Sequence, residues 1–84
     1  MNARKMLKKL LASPANARFD DVCHLADAFG FGLSRVSGSH HLFIHPQIVE
    51  LLNLQEVGGQ AKAYQVRQLL RLVEKYNLTL GGAS

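Results

Sequence analysis

Apolar residues recur at helical spacing in three stretches of the chain. Between the second and third of these the pattern shortens to that of strands. Met6, Leu7, Leu10 and Leu11 share one side of a segment whose other side holds Lys5, Lys8 and Lys9, which predicts an amphipathic helix from Ala3 to Ala12. Ser13-Pro14 ends it, because the residue before a proline avoids the helical region. After a polar bridge from Pro14 to Arg18, the residues Val22, Leu25, Ala26 and Phe29 follow at i, i+3, i+4 and i+7. They predict a second helix, with Asp20 as its N-cap and Gly30 closing it in the left-handed conformation. Val66, Leu69, Leu70 and Val73 mark a last helix from Ala63 to Tyr76, capped by Asn77. Arg67, Arg71 and Lys75, four apart, form a basic stripe along it.

The stretch between the second and third helices reads as strands. Gly32–Ser37 and His40–His45 flank the turn Ser37-Gly38-Ser39 as a tight hairpin, and Pro46 stops the second strand. QIVELL at 47–52 fits neither period, and Asn53–Val57 reads as a third strand before Gly58-Gly59. The order helix, helix, strand, strand, strand, helix implies an α+β domain, a three-stranded antiparallel sheet with helices on one face. Alternation divides the second strand into two sets. His40, Leu42 and Ile44 look core-facing, and His41, Phe43 and His45 would take the opposite face.

At 84 residues the chain makes one small domain. Ten Lys and Arg against six Asp and Glu give a net charge of +4. That balance favours a polyanionic partner, nucleic acid above all, or an acidic protein, with plain solubility as the alternative. The single cysteine, Cys23, allows no intramolecular disulfide and fits a reducing compartment. With His24 it flanks the stripe of the second helix, where both read as residues at the edge of a packed face. No apolar run approaches the ~20 residues that span a bilayer. Lysines break the N-terminal segment as a signal peptide, so a cytoplasmic protein is expected.

Three of the four histidines fall in GSHHLFIHP, residues 38–46. Three imidazoles are enough in number for zinc. However, His40 and His41 diverge on a strand, and His41 and His45 lie about 13 Å apart at strand rise, so no metal and no cofactor is expected. The second possibility is acid–base chemistry. Histidine exchanges protons near neutral pH, and RNA cleavage by attack of the 2′-hydroxyl on the adjacent phosphorus needs such transfers and no metal. Phe43 could stack on a base or serve as an ordinary strand aromatic. The third possibility is that these histidines simply fill a half-buried hairpin.

GSHHLFIHP at 38–46, NLQEVGGQAKAYQVRQLL at 53–70 and LVEKYNL at 72–78 together resemble the HicA-like mRNA interferase toxins of bacterial type II toxin–antitoxin systems. The resemblance covers roughly residues 19–78. It implies a fold like the double-stranded-RNA-binding domain over residues 18–78, with 1–17 as a helical N-terminal extension and 79–84 as a frayed tail. The implied activity is endoribonuclease cleavage of mRNA, silenced by a HicB-type antitoxin. The family's catalytic histidine follows the Gly-Ser turn and falls on His41, with His40 as the competing placement. Gly38 and Ser39 match the turn. Phe43, Arg35, Lys62 and Arg67 complete the expected RNA-binding set, Lys62 lying just before the last helix. Ile44 departs from the pattern, standing where a basic residue is common. Two other readings stay open: a non-catalytic RNA-binding module of the same fold, and a domain whose basic surface meets an acidic protein.

Overall fold

The computed structural model describes residues 2–80. Three helices and four strands follow the order α1 (Ala3–Ala12), α2 (Phe19–Ala28), β1 (Gly32–Ser37), β2 (His40–His45), β3 (Ile48–Val57), β4 (Gln60–Ala61) and α3 (Ala63–Lys75). The strands form one antiparallel sheet in the order β1-β2-β3-β4. The α+β class and all three helices agree with the sequence pattern. The strand count does not: β4 is an additional two-residue strand, and β3 is twice the length expected.

The reason lies in the composition of β3. It carries apolar side chains on both faces. Leu52 and Leu54 are buried, while Val49 and Leu51 are exposed, Val49 to 90 %. No single alternation is therefore visible. Glu50 interrupts the helix-facing set, but there it meets Lys75 Nζ at 2.7 Å and accepts a hydrogen bond from the Tyr76 hydroxyl. This exposed cluster ties the end of α3 to the sheet. It holds the Glu50 carboxyl below its usual pKa through the bonds from Lys75 and Tyr76, and raises that of Lys75 through the same contacts.

The core lies between the helices and one face of the sheet. Phe19, Val22, Leu25, Ala26 and Phe29 from α2 and its cap meet Phe43, Leu52 and Leu54 of the sheet and Val66, Leu69 and Leu72 of α3. Met6 and Leu10 of α1 join this cluster, so residues 3–12 pack as a helix of the domain. At the start of α1 the Asn2 side chain accepts from the Lys5 amide at 2.9 Å, an N-cap bond.

Gly30 closes α2 as expected, whereas α3 ends one residue earlier than expected, at Lys75, with Tyr76 rather than Asn77 as its C-cap. Gly30 has φ 96°, and the Gly30 and Phe31 amides donate to Asp27 and Ala26. Asn77 has φ 52°, and the Asn77 and Leu78 amides donate to Glu74 and Val73. Each is a Schellman closure around a left-handed residue. The start of α2 differs from expectation. Arg18, not Asp20, is the N-cap and makes no side-chain cap bond. The Phe19 amide donates instead to Gly59 O, and the Ala61 amide to Ala17 O, so the neighbouring turn and β4 set where the helix begins. Of the tail expected to fray, residues 81–84 lie outside the described residues.

The facing of β2 is the reverse of the one expected. His41, Phe43 and His45 point toward the helices, while His40, Leu42 and Ile44 lie on the open face. Both sets mix histidine with apolar residues, so alternation alone does not rank them. Pairing with β3 decides: His41 stands opposite Leu54 and Phe43 opposite Leu52, both fully buried, and directly opposed residues share a face.

Candidate functional site

The Gly38-Ser39 turn, the starts of β2 and α2 and the end of β3 meet at one end of the sheet. Gly38, at φ 59°, opens a two-residue loop between Ser37 and His40, and a positive φ is readily adopted there by glycine. Ser39 places its carbonyl where two donors reach it, the Glu56 amide at 3.1 Å and His41 Nδ1 at 3.3 Å. The His41 ring also sits edge-on to Phe19, with centroids 4.7 Å apart and planes at 63°. His41 is thereby half-buried, held at one nitrogen and packed on one side. Its Nε2 makes no hydrogen bond among the described residues.

His40 is placed differently. It is exposed on the open face, where Asn53 Nδ2 donates to its Nδ1 at 3.0 Å. The two adjacent histidines therefore serve opposite sides of the sheet and do not converge on one reacting atom. His45 is buried. Its Nε2 donates to Phe29 O at 3.0 Å, its Nδ1 accepts from the Gln47 amide at 3.1 Å, and its ring packs against Phe31. One neutral tautomer satisfies both bonds, so this histidine pins the sheet to the end of α2. Among the described residues, no group of three or more His, Cys, Asp or Glu side chains is placed to hold a metal ion.

The expected RNA-binding set separates into parts. Gly38 and Ser39 build the turn that orients His41. Phe43 is only 5 % exposed, so its ring is spent on the core, and the expectation that it stacks on a base is corrected. Its position opposite buried Leu52 explains this. Arg35 pairs with Leu42 and so belongs to the open face, whereas Lys62 and Arg67 belong to the helix side. Lys62 is the N-cap residue of α3 and lines a shallow cavity of about 300 Å³ with Asn16, Gln60 and Ala61. Arg67 is exposed farther along α3. Lys62 and Arg67, on α3 and its cap, thus lie on the other side of the sheet from Arg35.

Three contributors escape sequence reasoning. Phe19 supports His41, Asn53 binds His40, and Gln65 accepts the Gln55 amide at 2.6 Å where β4 is too short to do so. Each acts through a partner distant along the chain, and no local motif marks it.

Cys23 lies one turn after Phe19 on α2. Its thiol is pushed up to about 11 from 9.0, by burial first and then by the charges of Asp20 and Glu56. The folded state therefore holds this proton more tightly than the unfolded chain. The resulting stabilisation is complete below about pH 9 and is lost as pH rises through about 11. Because the thiolate is the nucleophile, iodoacetamide at pH 8.5 is expected to modify folded Cys23 at least about tenfold more slowly than the urea-unfolded chain. Asp20→Asn should narrow the gap, and equal rates in the two states would contradict this assignment.

No protein-family model, curated protein or solved structure matches the chain. No helix among the described residues is long and apolar enough to cross a membrane.

Proposed function

We propose that this chain is a HicA-like mRNA interferase, a metal-independent endoribonuclease toxin neutralised by a HicB-type antitoxin. The observation that carries the reading is the setting of His41. It follows the Gly38-Ser39 turn, its Nδ1 is engaged by a backbone carbonyl, and its Nε2 is unengaged among the described residues. That is the arrangement a histidine needs for proton transfer. The run α2-β1-β2-β3-α3 supports a double-stranded-RNA-binding-domain-like core with α1 and β4 added, and the net charge of +4 supports a phosphate-rich substrate.

In this reading His41 takes the proton of a 2′-hydroxyl. The 2′-oxygen bonds to the adjacent phosphorus, and the bond to the 5′-oxygen breaks. Lys62 and Arg67 hold the phosphates alongside and offset the charge that builds on them. The direct test is induction of the gene alone, following growth and mRNA integrity, with and without a co-expressed HicB-type protein. Growth and intact transcripts on induction would defeat the reading in favour of a non-catalytic RNA-binding module.

Two further outcomes are expected. Cleavage should survive EDTA, because the chemistry assigned to His41 is proton transfer alone. Loss in chelator with recovery on added zinc or magnesium would count against it. Lys62→Ala should weaken RNA binding and make the plot of log K against log salt shallower by about one unit. A full slope in the variant would place Lys62 among the solvated surface charges.

A further inference from the structure

We infer that Phe19 and the Ser39 carbonyl lock neutral His41 as the Nδ1–H tautomer, making Phe19 a positioning residue and the other ring nitrogen of His41, Nε2, a proton acceptor. For its chemistry the inference rests on the ribonuclease reading above.

A carbonyl oxygen only accepts. The contact from His41 Nδ1 to Ser39 O, 3.3 Å long, therefore requires the hydrogen on Nδ1. A neutral imidazole carries one N–H, so the lone pair is on Nε2. Neither anchor is free to yield. Ser39 O is fixed by the Glu56 amide of β3, and Phe19 by its own amide bond to Gly59 O and by its burial in the core. A ring flip at His41 would take Nδ1 away from Ser39 O and turn a different edge toward Phe19.

His40 has the opposite polarity. Its Nδ1 accepts from Asn53, so its neutral form carries the hydrogen on Nε2. Of the two adjacent histidines, only His41 in this state can accept a proton through its free nitrogen. In the cleavage step Nε2 takes the 2′-hydroxyl proton as the 2′-oxygen–phosphorus bond forms. The 5′-oxygen leaves with a proton from water, and the imidazolium returns its own proton to the hydroxide so formed. Throughout, Nδ1–H remains bonded to Ser39 O, as in other sites where one ring nitrogen is held so that the other can work.

The test uses the full ¹⁵N-labelled chain at alkaline pH, where long-range nitrogen–proton spectra distinguish the two tautomers. His41 is expected to show the Nδ1–H pattern and His40 the Nε2–H pattern. Phe19→Leu, which keeps apolar bulk in the core, should leave His40 unchanged, showing that the sheet is intact. In the same variant His41 should become a mixture of tautomers, and kcat for RNA cleavage should fall about 10- to 100-fold with little change in KM. An Nε2–H pattern for His41 in the parent would overturn the inference. So would a Phe19→Leu variant with parental tautomer and kcat. If the parent cleaves no RNA yet its tautomer lock is lost in Phe19→Leu, the lock stands and the ribonuclease reading falls.

Discussion

His41→Ala is expected to lower RNA cleavage by about 10²–10⁴-fold and to abolish growth arrest, while the melting temperature stays within a few degrees of the parent. The first effect follows from removing the imidazole that follows the Gly38-Ser39 turn and to which the proton transfer is assigned. The second follows from its position. His41 is half-buried at the end of the sheet, its one side-chain hydrogen bond among the described residues is long, and Phe19 remains supported by the rest of the core. His40→Ala is the matched control. Its side chain is exposed and loses only the bond to Asn53, which water can replace, so both cleavage and melting temperature should stay near parental values. Paired measurement of rate and melting temperature in the two variants decides the matter. If His40→Ala stops cleavage at unchanged stability and His41→Ala cleaves normally, the catalytic role passes to His40. If both variants arrest growth like the parent, neither histidine carries the chemistry and the ribonuclease reading fails.

This pair also shows what the sequence could and could not reveal. The helices were legible because each has one apolar stripe, such as Val22, Leu25, Ala26 and Phe29, and a recognisable stop, Gly30 or Asn77. The hairpin was legible from Gly38-Ser39 between two strand-like runs. Its facing was not, because in HHLFIH each alternate set holds both histidine and an apolar residue. The choice comes from Leu52 and Leu54 across the strand pair. Those leucines were themselves masked by Val49, Leu51 and Glu50, whose places depend on the open face and on Lys75 and Tyr76, 25 and 26 residues from Glu50. The same logic applies to the site. His41 stood out by its residue type and the turn before it, while Phe19 did not, since nothing local distinguishes it from any other core phenylalanine.

The largest effect on stability should come from His45, which pattern alone had placed outward. His45→Ala removes a buried ring that packs on Phe31 and leaves Phe29 O and the Gln47 amide without their partners. The buried Phe29 carbonyl left unsatisfied and the vacated volume together cost about 3 kcal/mol, or roughly 12–24 °C in melting temperature for a domain of this size. Gly30 lies directly against the same ring. A Cβ built there would come within 2.9 Å of His45 Nε2, and φ is 96°. Gly30→Ala should therefore destabilise twice over, through a backbone conformation that costs an L residue about 1–2 kcal/mol and through collision with the imidazole. Only the second effect depends on His45. The double variant should accordingly be more stable than the sum of the two single losses predicts, with a coupling of about 0.5–3 kcal/mol, the range found for residues in contact. Denaturant melts of the four proteins measure this directly. Strict additivity would mean that the His45 ring does not press on Gly30, and that the link between β2 and the end of α2 is looser than the bond to Phe29 O implies.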